Sequence, residues 1–244
     1  ALPIFQVEKS HASEATIVRT CKKLGYQGYY HLKIALAKEV INPDNSYPEN
    51  TDFSDITSLA TFLLKKQAED LIQSTQFFNA DVLESILKLL ANCDTIFFFA
   101  AGNSNPLAVY SAYKFSQLGL KTVVHVSPEM QINAAYSMGK RDLAIGISNS
   151  GSTNLMVDIF KVVKERGAKS VCITNYIKSP LSKLSTHQLN TAVSDKIFFE
   201  AFDSTRVPAM GVIDMLVLLF MYKNKAHYEK YRTREEFLGS RFKG

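Results

Sequence analysis

Short apolar runs alternate with longer segments of helical periodicity after residue 94 of this 244-residue chain. A half-exposed strand alternates polar and apolar residues, whereas these runs are apolar throughout and must be covered on both faces. Such strands, separated by helices, are typical of a parallel sheet with helices on both sides. The pattern predicts an α/β domain that binds ligands at the carboxyl ends of its strands. The clearest strands span 95–101, 121–126, 142–147 and 170–174.

Helices account for most of the remaining domain. We expect them at 54–79, 80–92, 106–118, 129–138, 153–166 and 204–223, with a short turn at 179–184 and a fifth apolar stretch at 189–193. Residues 212–221 are almost entirely apolar, which fits burial within the domain or at a subunit interface. The basic segment that follows is expected to be a solvated tail, with contact to DNA as the alternative.

Composition excludes several classes of protein. With 46% hydrophobic and 21% charged residues, the chain is not wholly disordered. No apolar run approaches the ~18 residues of a membrane span, and no secretory signal is visible. The three cysteines are far apart and form no cluster with histidine. We therefore expect free thiols in a reducing cytoplasm, no metal site and no membrane.

The net charge of +5 is unevenly distributed. Residues 1–41 carry six basic and three acidic side chains, whereas 42–75 carry two basic and six acidic ones. Residues 42–52 (NPDNSYPENTD) contain almost nothing to bury and are typical of a linker. We therefore divide the chain into an N-terminal module at 1–41, a linker at 42–53, the main domain at 54–238 and a tail at 239–244.

Two short helices are predicted in the N-terminal module. The first spans 3–10, and the second begins at its N-cap Ser13 and ends before Gly25. The second helix has a stripe of residues expected to be buried, formed by Ile17, Cys21 and Leu24. Its other face is polar and basic, so the pair has the geometry of a helix-turn-helix.

In a helix-turn-helix, the second helix lies in the major groove of DNA. The side chains expected to face base edges are Ser13, Thr16, Arg19 and Thr20. Those expected to face phosphates are Lys22, Lys23 and Lys33. The alternative is an amphipathic helical hairpin that packs on the rest of the protein.

Three polar loops follow strands in the main domain: 100–106, 148–153 and 174–182. The second, SNSGST, precedes a helix start, where backbone N–H groups and the helix dipole favour an anion. Its hydroxyls add donors, and Gly151 permits close approach of the backbone, so a phosphate is the natural ligand. No P-loop and no G-x-G-x-x-G motif is present, and we expect no cofactor. The alternative is a merely polar loop whose serine caps the helix.

The N-terminal module resembles that of RpiR-type bacterial transcriptional regulators. The similar segment is SEATIVRTCKKLGYQGYYHLKIALAKE, residues 13–39, which departs from the family pattern at few positions. The resemblance implies that 13–24 is the DNA-recognition helix. It also implies a further helix ahead of 3–10 that this sequence does not include, so we expect a partial module.

The main domain resembles the SIS, or sugar isomerase, domain over roughly 54–228. Family motifs G-x-G-x-S and S-x-S-G-x-T are matched after the first and third strands, with Ala100 in place of the first glycine. TNYIKSPLSKLS, residues 174–185, is also similar to a family segment. The resemblance implies a phosphosugar site, in which Ser104, Ser148, Ser150 and Thr153 hold the phosphate and Asn103 contacts the sugar. The expected site comprises Gly102, Asn103, Ser104, Ser148, Asn149, Ser150, Gly151 and Thr153.

SIS domains occur in isomerases and in sensors, and an aldose–ketose isomerase requires a general base near the sugar carbons. The candidate bases are His125, Glu129, His187 and Glu200, none of which lies in a recognisable acid–base pattern. The two modules together predict a non-enzymatic regulator of carbohydrate metabolism, whose phosphosugar effector modulates operator binding. We expect a homodimer or homotetramer because such operators are two-fold repeats. The alternatives are a phosphosugar isomerase and a sensor that acts on protein partners.

Overall fold

A computed structural model describes residues 14–25, 55–192 and 206–242 of the chain. The chain divides into two compact units, residues 1–59 and 60–244. The predicted helix at 3–10, the linker at 42–52, Ser13, Lys33 and Glu200 all lie outside the described residues.

In the first unit, helix α1 spans Glu14–Lys23, as predicted. Gly25 follows it with a φ of +85°, and its N–H donates to the Lys22 carbonyl, so glycine ends the helix as expected. Cys21 is buried, but Leu24 is 61% exposed, and its predicted place in the buried stripe is wrong. Leu24 lies in the turn beyond the last helical residue, where the helical spacing no longer applies.

The second unit contains a parallel sheet, which confirms the α/β prediction. Within the described residues its strands pair in the order β2-β1-β3-β4-β5, and every pairing is parallel. The strands are β1 Ile96–Ala100, β2 Thr122–Val124, β3 Leu143–Ile147, β4 Lys169–Thr174 and β5 His187–Asn190. All five residues of β1 and of β3 are buried, because helices cover both faces of the sheet.

Helices precede, connect and follow the strands. They are α2 Ile56–Ser74, α3 Ala80–Asn92, α4 Asn105–Gln117, α5 Pro128–Ser137, α6 Asn154–Glu165, α7 Pro180–Leu184, α8 Arg206–Lys223 and α9 Lys225–Phe242. Helices α3, α4 and α8 pack on one face, where Phe98 lies in their core. Helices α5, α6 and α7 pack on the other face, where Phe97 and Phe99 lie. Successive residues of β1 therefore supply two separate cores.

The segment after 221 is helical rather than a simple tail, because α9 runs to Phe242. Tyr231 packs against the core beneath α4 and α8, and the His227 ring nitrogen Nδ1 donates to the Leu118 carbonyl at 2.7 Å. Ion pairs along the helix link Arg232 to Glu229 and to Glu236. The sequence pattern did not predict this helix because its apolar residues are few and anchor only part of one face.

No single described helix is both long enough and apolar enough to cross a membrane. Helices α8 and α9 meet the length and composition criteria only as a pair bent by 108°. The inner face of α8 lies in the core, where Val212, Leu216 and Phe220 are buried. These residues fit the first alternative for 212–221, burial within the domain, whereas Leu218 of the same segment is 61% exposed.

Candidate functional site

Two of the predicted loops begin side by side at the carboxyl edge of the sheet. Strands β1 and β3 are neighbours, and their last residues, Ala100 and Ile147, are paired in register. A short 3-10 turn, Gly102–Ser104, leads from β1 into α4, and residues 148–153 lead from β3 into α6. Adjacent strands lie about 4.8 Å apart, so the starts of both helices lie at one edge of the sheet. Each first turn has backbone N–H groups without partners inside the helix.

The hydroxyl side chains at these helix starts do not cap their helices. Ser104 is the N-cap of α4 and Thr153 is the N-cap of α6, yet neither side chain accepts a hydrogen bond from the helix backbone. Elsewhere the chain does use such caps, since Asn79 accepts from the Val82 N–H and Ser179 accepts from the Ser182 N–H. The capping alternative for the second loop is therefore wrong, and both hydroxyls are available to a ligand.

The second loop folds back on itself. The Gly151 N–H donates to the Ser148 carbonyl at 3.1 Å, and Gly151 has a φ of +57°. This turn brings the Ser148 and Thr153 hydroxyls to 3.5 Å from each other. Ser148 is 4% exposed, whereas Ser150 and Thr153 are exposed. The loop therefore places one buried and two exposed predicted phosphate ligands along a single turn.

The third loop, residues 174–182, supports the second. The Thr174 hydroxyl and the Asn175 N–H both donate to the Asn149 carbonyl at 3.0 Å, and the Leu181 N–H donates to the Gly151 carbonyl at 2.9 Å. A Cβ added at Gly151 would overlap the Ser179 hydroxyl. Glycine is therefore required here for contact with the third loop, a role that sequence reasoning did not assign.

Gln131, on α5, holds the end of β1 and was missed by sequence reasoning. Its Oε1 accepts from the Ala100 N–H at 3.2 Å, and its Nε2 donates to the Ala100 carbonyl at 2.9 Å. Strand β2 ends at Val124, opposite Phe98, so β1 extends beyond its neighbour on that side. The Gln131 amide takes the place of the absent strand and is itself 1% exposed. Gln131 could not be identified from the sequence, because α5 has few apolar residues and their spacing does not indicate which of its polar residues is buried.

Two buried side-chain oxygens at these loops have no hydrogen-bond partner. Among the described residues, the buried side-chain polar atoms without a partner are Asn105 Oδ1, at the start of α4, and Asn149 Oδ1, in the second loop. Buried polar atoms in proteins are nearly always hydrogen-bonded, so each of these oxygens calls for a donor. Asn149 belongs to the predicted site, whereas Asn105 was missed because it lies outside the family motif.

Two of the candidate general bases, His187 and Glu129, can be placed relative to this edge of the sheet. His187 is the first residue of β5, so it lies at the opposite, amino edge of the sheet, and burial lowers its pKa. Glu129 is exposed at the start of α5, where the Ser127 hydroxyl donates to its carboxylate at 2.6 Å and lowers its pKa. A lowered pKa weakens a base.

A cavity of about 360 Å³ lies along β2 and α5, away from the loops. It is lined by Phe97, Val123, His125, Met130, Asn133, Ala134 and Ser137. The lining therefore includes the candidate base His125 but none of the predicted phosphosugar ligands. No group of three or more His, Cys, Asp or Glu side chains that could hold a metal occurs within 14–25, 55–192 and 206–242.

The predicted DNA-facing residues within the described part of α1 are exposed. They are Thr16, Arg19, Thr20, Lys22 and Lys23. The Thr20 hydroxyl donates to the Thr16 carbonyl at 2.9 Å, which leaves its oxygen able to accept a hydrogen bond. Three cations, Arg19, Lys22 and Lys23, therefore stand on the surface of one short helix.

Two family models match the chain. Residues 89–219 match the SIS domain, and residues 7–43 match the helix-turn-helix domain of the rpiR family. An HTH-type transcriptional regulator of Clostridium perfringens is 30% identical over 86% of this chain and 76% of its own length. Another, of Caldanaerobacter subterraneus subsp. tengcongensis, is 30% identical over 90% of this chain and 78% of its own length.

A solved structure has the same fold. The Vibrio vulnificus NanR protein complexed with ManNAc-6P has a TM-score of 0.74 and 22% identity. The match covers 95% of this chain and 83% of that one. The similarity confirms the α/β architecture predicted from the alternating strands and helices, and the match to the SIS model confirms the resemblance of the loop motifs.

Proposed function

Because this chain belongs to the RpiR family of helix-turn-helix transcriptional regulators with a SIS domain, we propose that it binds a phosphosugar at the loops after β1 and β3. The bound phosphosugar modulates binding of the N-terminal module to an operator of a carbohydrate-metabolism gene. The observation that carries this proposal is the pair of uncapped helix starts side by side at one sheet edge.

A phosphate suits this arrangement for electrostatic reasons. The loops at 100–106 and 148–153 contain no acidic residue, and the dipoles of α4 and α6 both present their positive ends there. Backbone N–H groups of the first turns, together with the hydroxyls of Ser104, Ser150 and Thr153, can donate to phosphate oxygens. Gly102 permits the turn after β1 because its φ of +56° is costly for other residues.

The orphan oxygens of Asn105 and Asn149 favour a sugar phosphate over a bare phosphate. Both oxygens accept hydrogen bonds, and a sugar phosphate offers several hydroxyl donors, whereas inorganic phosphate at neutral pH carries at most two hydrogens. Sugar hydroxyls beside the phosphate can donate to them. The NanR structure, with its bound ManNAc-6P, provides a relative of the same fold that binds a ligand of this class.

A regulator explains more of the chain than an isomerase does. The two relatives at 30% identity are named as HTH-type transcriptional regulators. Of the candidate bases, His187 lies at the amino edge of the sheet, away from the loops, and the pKa of Glu129 is lowered. We propose that α1 enters the major groove with Thr16, Arg19 and Thr20 facing the bases. We further propose that the protein acts in the cytoplasm as a homo-oligomer, since two-fold operators require paired modules.

A thermal-shift screen of phosphosugars tests the ligand proposal. A ligand that binds only the folded protein raises its melting temperature by mass action. Thr153→Val removes a hydroxyl that caps nothing, so it should abolish the shift and leave the melting temperature of the free protein unchanged. Ser116→Ala, which removes a hydroxyl at the far end of α4, should keep the full shift. If no phosphosugar raises the melting temperature, or if Thr153→Val responds like the wild type, the proposed site is wrong.

A further inference from the structure

Buried polar residues of the main domain form a hydrogen-bonded path from the second loop to helix α2. Ten polar residues are buried in the parts of the chain that the structure describes. Five of them are connected, directly or through the neighbouring backbone, and we call these five the polar track: Thr174, Asn190, Thr191, Ser74 and Asp70. Burying a polar group costs free energy unless it is hydrogen-bonded, so half of the buried polar residues in one path is an arrangement that calls for a reason.

The polar track begins at the candidate phosphosugar site. The Thr174 hydroxyl donates to the Asn149 carbonyl at 3.0 Å, and Asn149 also carries one of the two orphan side-chain oxygens. The Thr174 carbonyl accepts from the Asn190 side-chain amide and from the Thr191 N–H, both at 3.1 Å. Thr174 is itself 1% exposed. A single buried residue therefore connects the second loop to the end of β5.

The polar track ends inside α2. The Ala192 N–H, directly after Thr191, donates to the Ser74 hydroxyl oxygen at 2.8 Å. The Ser74 hydroxyl in turn donates to the Asp70 carbonyl at 2.8 Å. Asp70 and Ser74 are the buried residues of α2, whereas Ile72 between them is 67% exposed. The buried anchor of the second half of α2 is therefore polar.

Helix α2 is also the element through which the chain reaches the main domain from the N-terminal module. It runs without a break from Ile56 to Ser74, and the boundary between the two compact units, after Leu59, falls within it. The backbone hydrogen bonds of a helix are internal, so its residues move largely together when one end shifts. A displacement at Ser74 is therefore carried along one continuous helix to the residues that follow the predicted linker at 42–53.

We infer that the polar track carries the response to the phosphosugar from the second loop to α2, with Ser74 as the positioning residue at its end. The inference rests on the proposed function and specifies how that site is regulated. Ser74 has two alternatives: it accepts from the Ala192 N–H, or it releases this N–H and α2 shifts. A phosphosugar that donates to Asn149 fixes the residue to which Thr174 is bonded, so it favours the first alternative. Such a difference in affinity between two states is what couples two sites.

Ser111, on α4, provides a matched control for Ser74. Both serines are fully buried, and each hydroxyl donates to the carbonyl four residues earlier, at 2.7 Å to Leu107 and at 2.8 Å to Asp70. Ser74 also accepts from the distant Ala192, whereas the Ser111 hydroxyl has no such bond within the described residues. Ser111→Ala therefore reproduces the loss of a buried helical hydroxyl without disturbing the polar track.

The test is a titration of the full chain with a DNA fragment that it protects in footprinting, with and without a phosphosugar selected by the thermal-shift screen. The ratio of the larger to the smaller DNA dissociation constant is the coupling factor, commonly about 5–150. Ser74→Ala should bring this factor close to one while the phosphosugar still binds, and Ser111→Ala should keep the wild-type value. An unchanged factor in Ser74→Ala, or an equal loss in Ser111→Ala, would overturn the inference alone. A wild-type factor of one would overturn the proposed function together with it.

Asn190→Ala interrupts the polar track at a second point and keeps the test decisive if Ser74→Ala does not fold. The Thr174 carbonyl retains the Thr191 N–H as a partner, so we expect a folded protein that keeps its thermal shift with the phosphosugar. Its coupling factor should fall below the wild-type value. In the wild type, the phosphosugar should also slow hydrogen exchange of the Ala192 amide, which donates to Ser74. An unchanged factor in Asn190→Ala, or an Ala192 amide whose exchange does not respond to the phosphosugar, would overturn the inference.

Discussion

Gly151 links the two parts of the candidate site. Its positive φ shapes the turn that brings Ser148 near Thr153, and its missing side chain makes room for Ser179 of the third loop. From the sequence, Gly151 was assigned to close approach of the backbone to a bound phosphate. The contact with Ser179 could not be predicted, because it depends on how a distant loop folds back over the second.

The variant Gly151→Ala should destabilise the protein by about 1–3 kcal/mol, because it combines a strained φ with an overlap against Ser179. Gly102→Ala is the matched control, since Gly102 has nearly the same φ, +56°, and nothing within 4 Å of an added Cβ. Gly102→Ala should lower the free energy of unfolding by less than Gly151→Ala does. Urea unfolding measures both values. Equal losses in the two variants would show that the contact with Ser179 contributes nothing.

Asn149 is expected to distinguish a sugar phosphate from a bare phosphate. Asn149→Ala removes a buried acceptor that only a donor can satisfy, so affinity for the phosphosugar should fall about tenfold, in line with roughly 1–2 kcal/mol per hydrogen bond. Affinity for inorganic phosphate, which carries fewer donors, should fall less. Asn133→Ala, in the separate cavity, should alter neither affinity. Calorimetric titration measures all three proteins, and an equal loss for both ligands would contradict the assignment.

At the scale of elements, the strands of the sheet were predictable from the sequence, whereas the C-terminal helix α9 and the contact that Gln131 makes with β1 were not. Strands β1, β3 and β4 are apolar because both faces are covered, and this signal is local to each run. Helix α9 escaped prediction because its stability depends on Tyr231 and His227 meeting parts of the chain far away in sequence. Gln131 escaped for the same reason, since its partner is a strand end 31 residues earlier.

Replacing Gln131 by leucine should destabilise the sheet edge. The N–H and carbonyl of Ala100 would lose their partners while remaining buried, at a cost of about 1–3 kcal/mol for each unsatisfied group. The melting temperature should therefore fall well below that of Gln73→Leu, the same exchange at an exposed position of α2. A melting temperature for Gln131→Leu equal to that of Gln73→Leu would show that Gln131 does not hold β1.

At the scale of the whole molecule, the chain combines a helix-turn-helix module with a SIS domain, and both were predictable from short motifs. Thermodynamic linkage requires that a phosphosugar which alters operator affinity has its own affinity altered by DNA to the same extent. Neither motif encodes the sugar, the operator sequence or the sign of this coupling. Those depend on side chains from several loops, which short motifs do not specify.

Footprinting of the full-length protein on DNA around its own gene, with and without the phosphosugar that raises its melting temperature, tests the central claim most directly. We predict a protected site whose apparent dissociation constant changes by roughly 5–150-fold when the phosphosugar is added, the range typical of allosteric coupling. Arg19→Ala should weaken protection, and Thr153→Val should keep protection but lose the response to the sugar. A protected site that is indifferent to every phosphosugar that binds, or no protected site at all, would contradict the account.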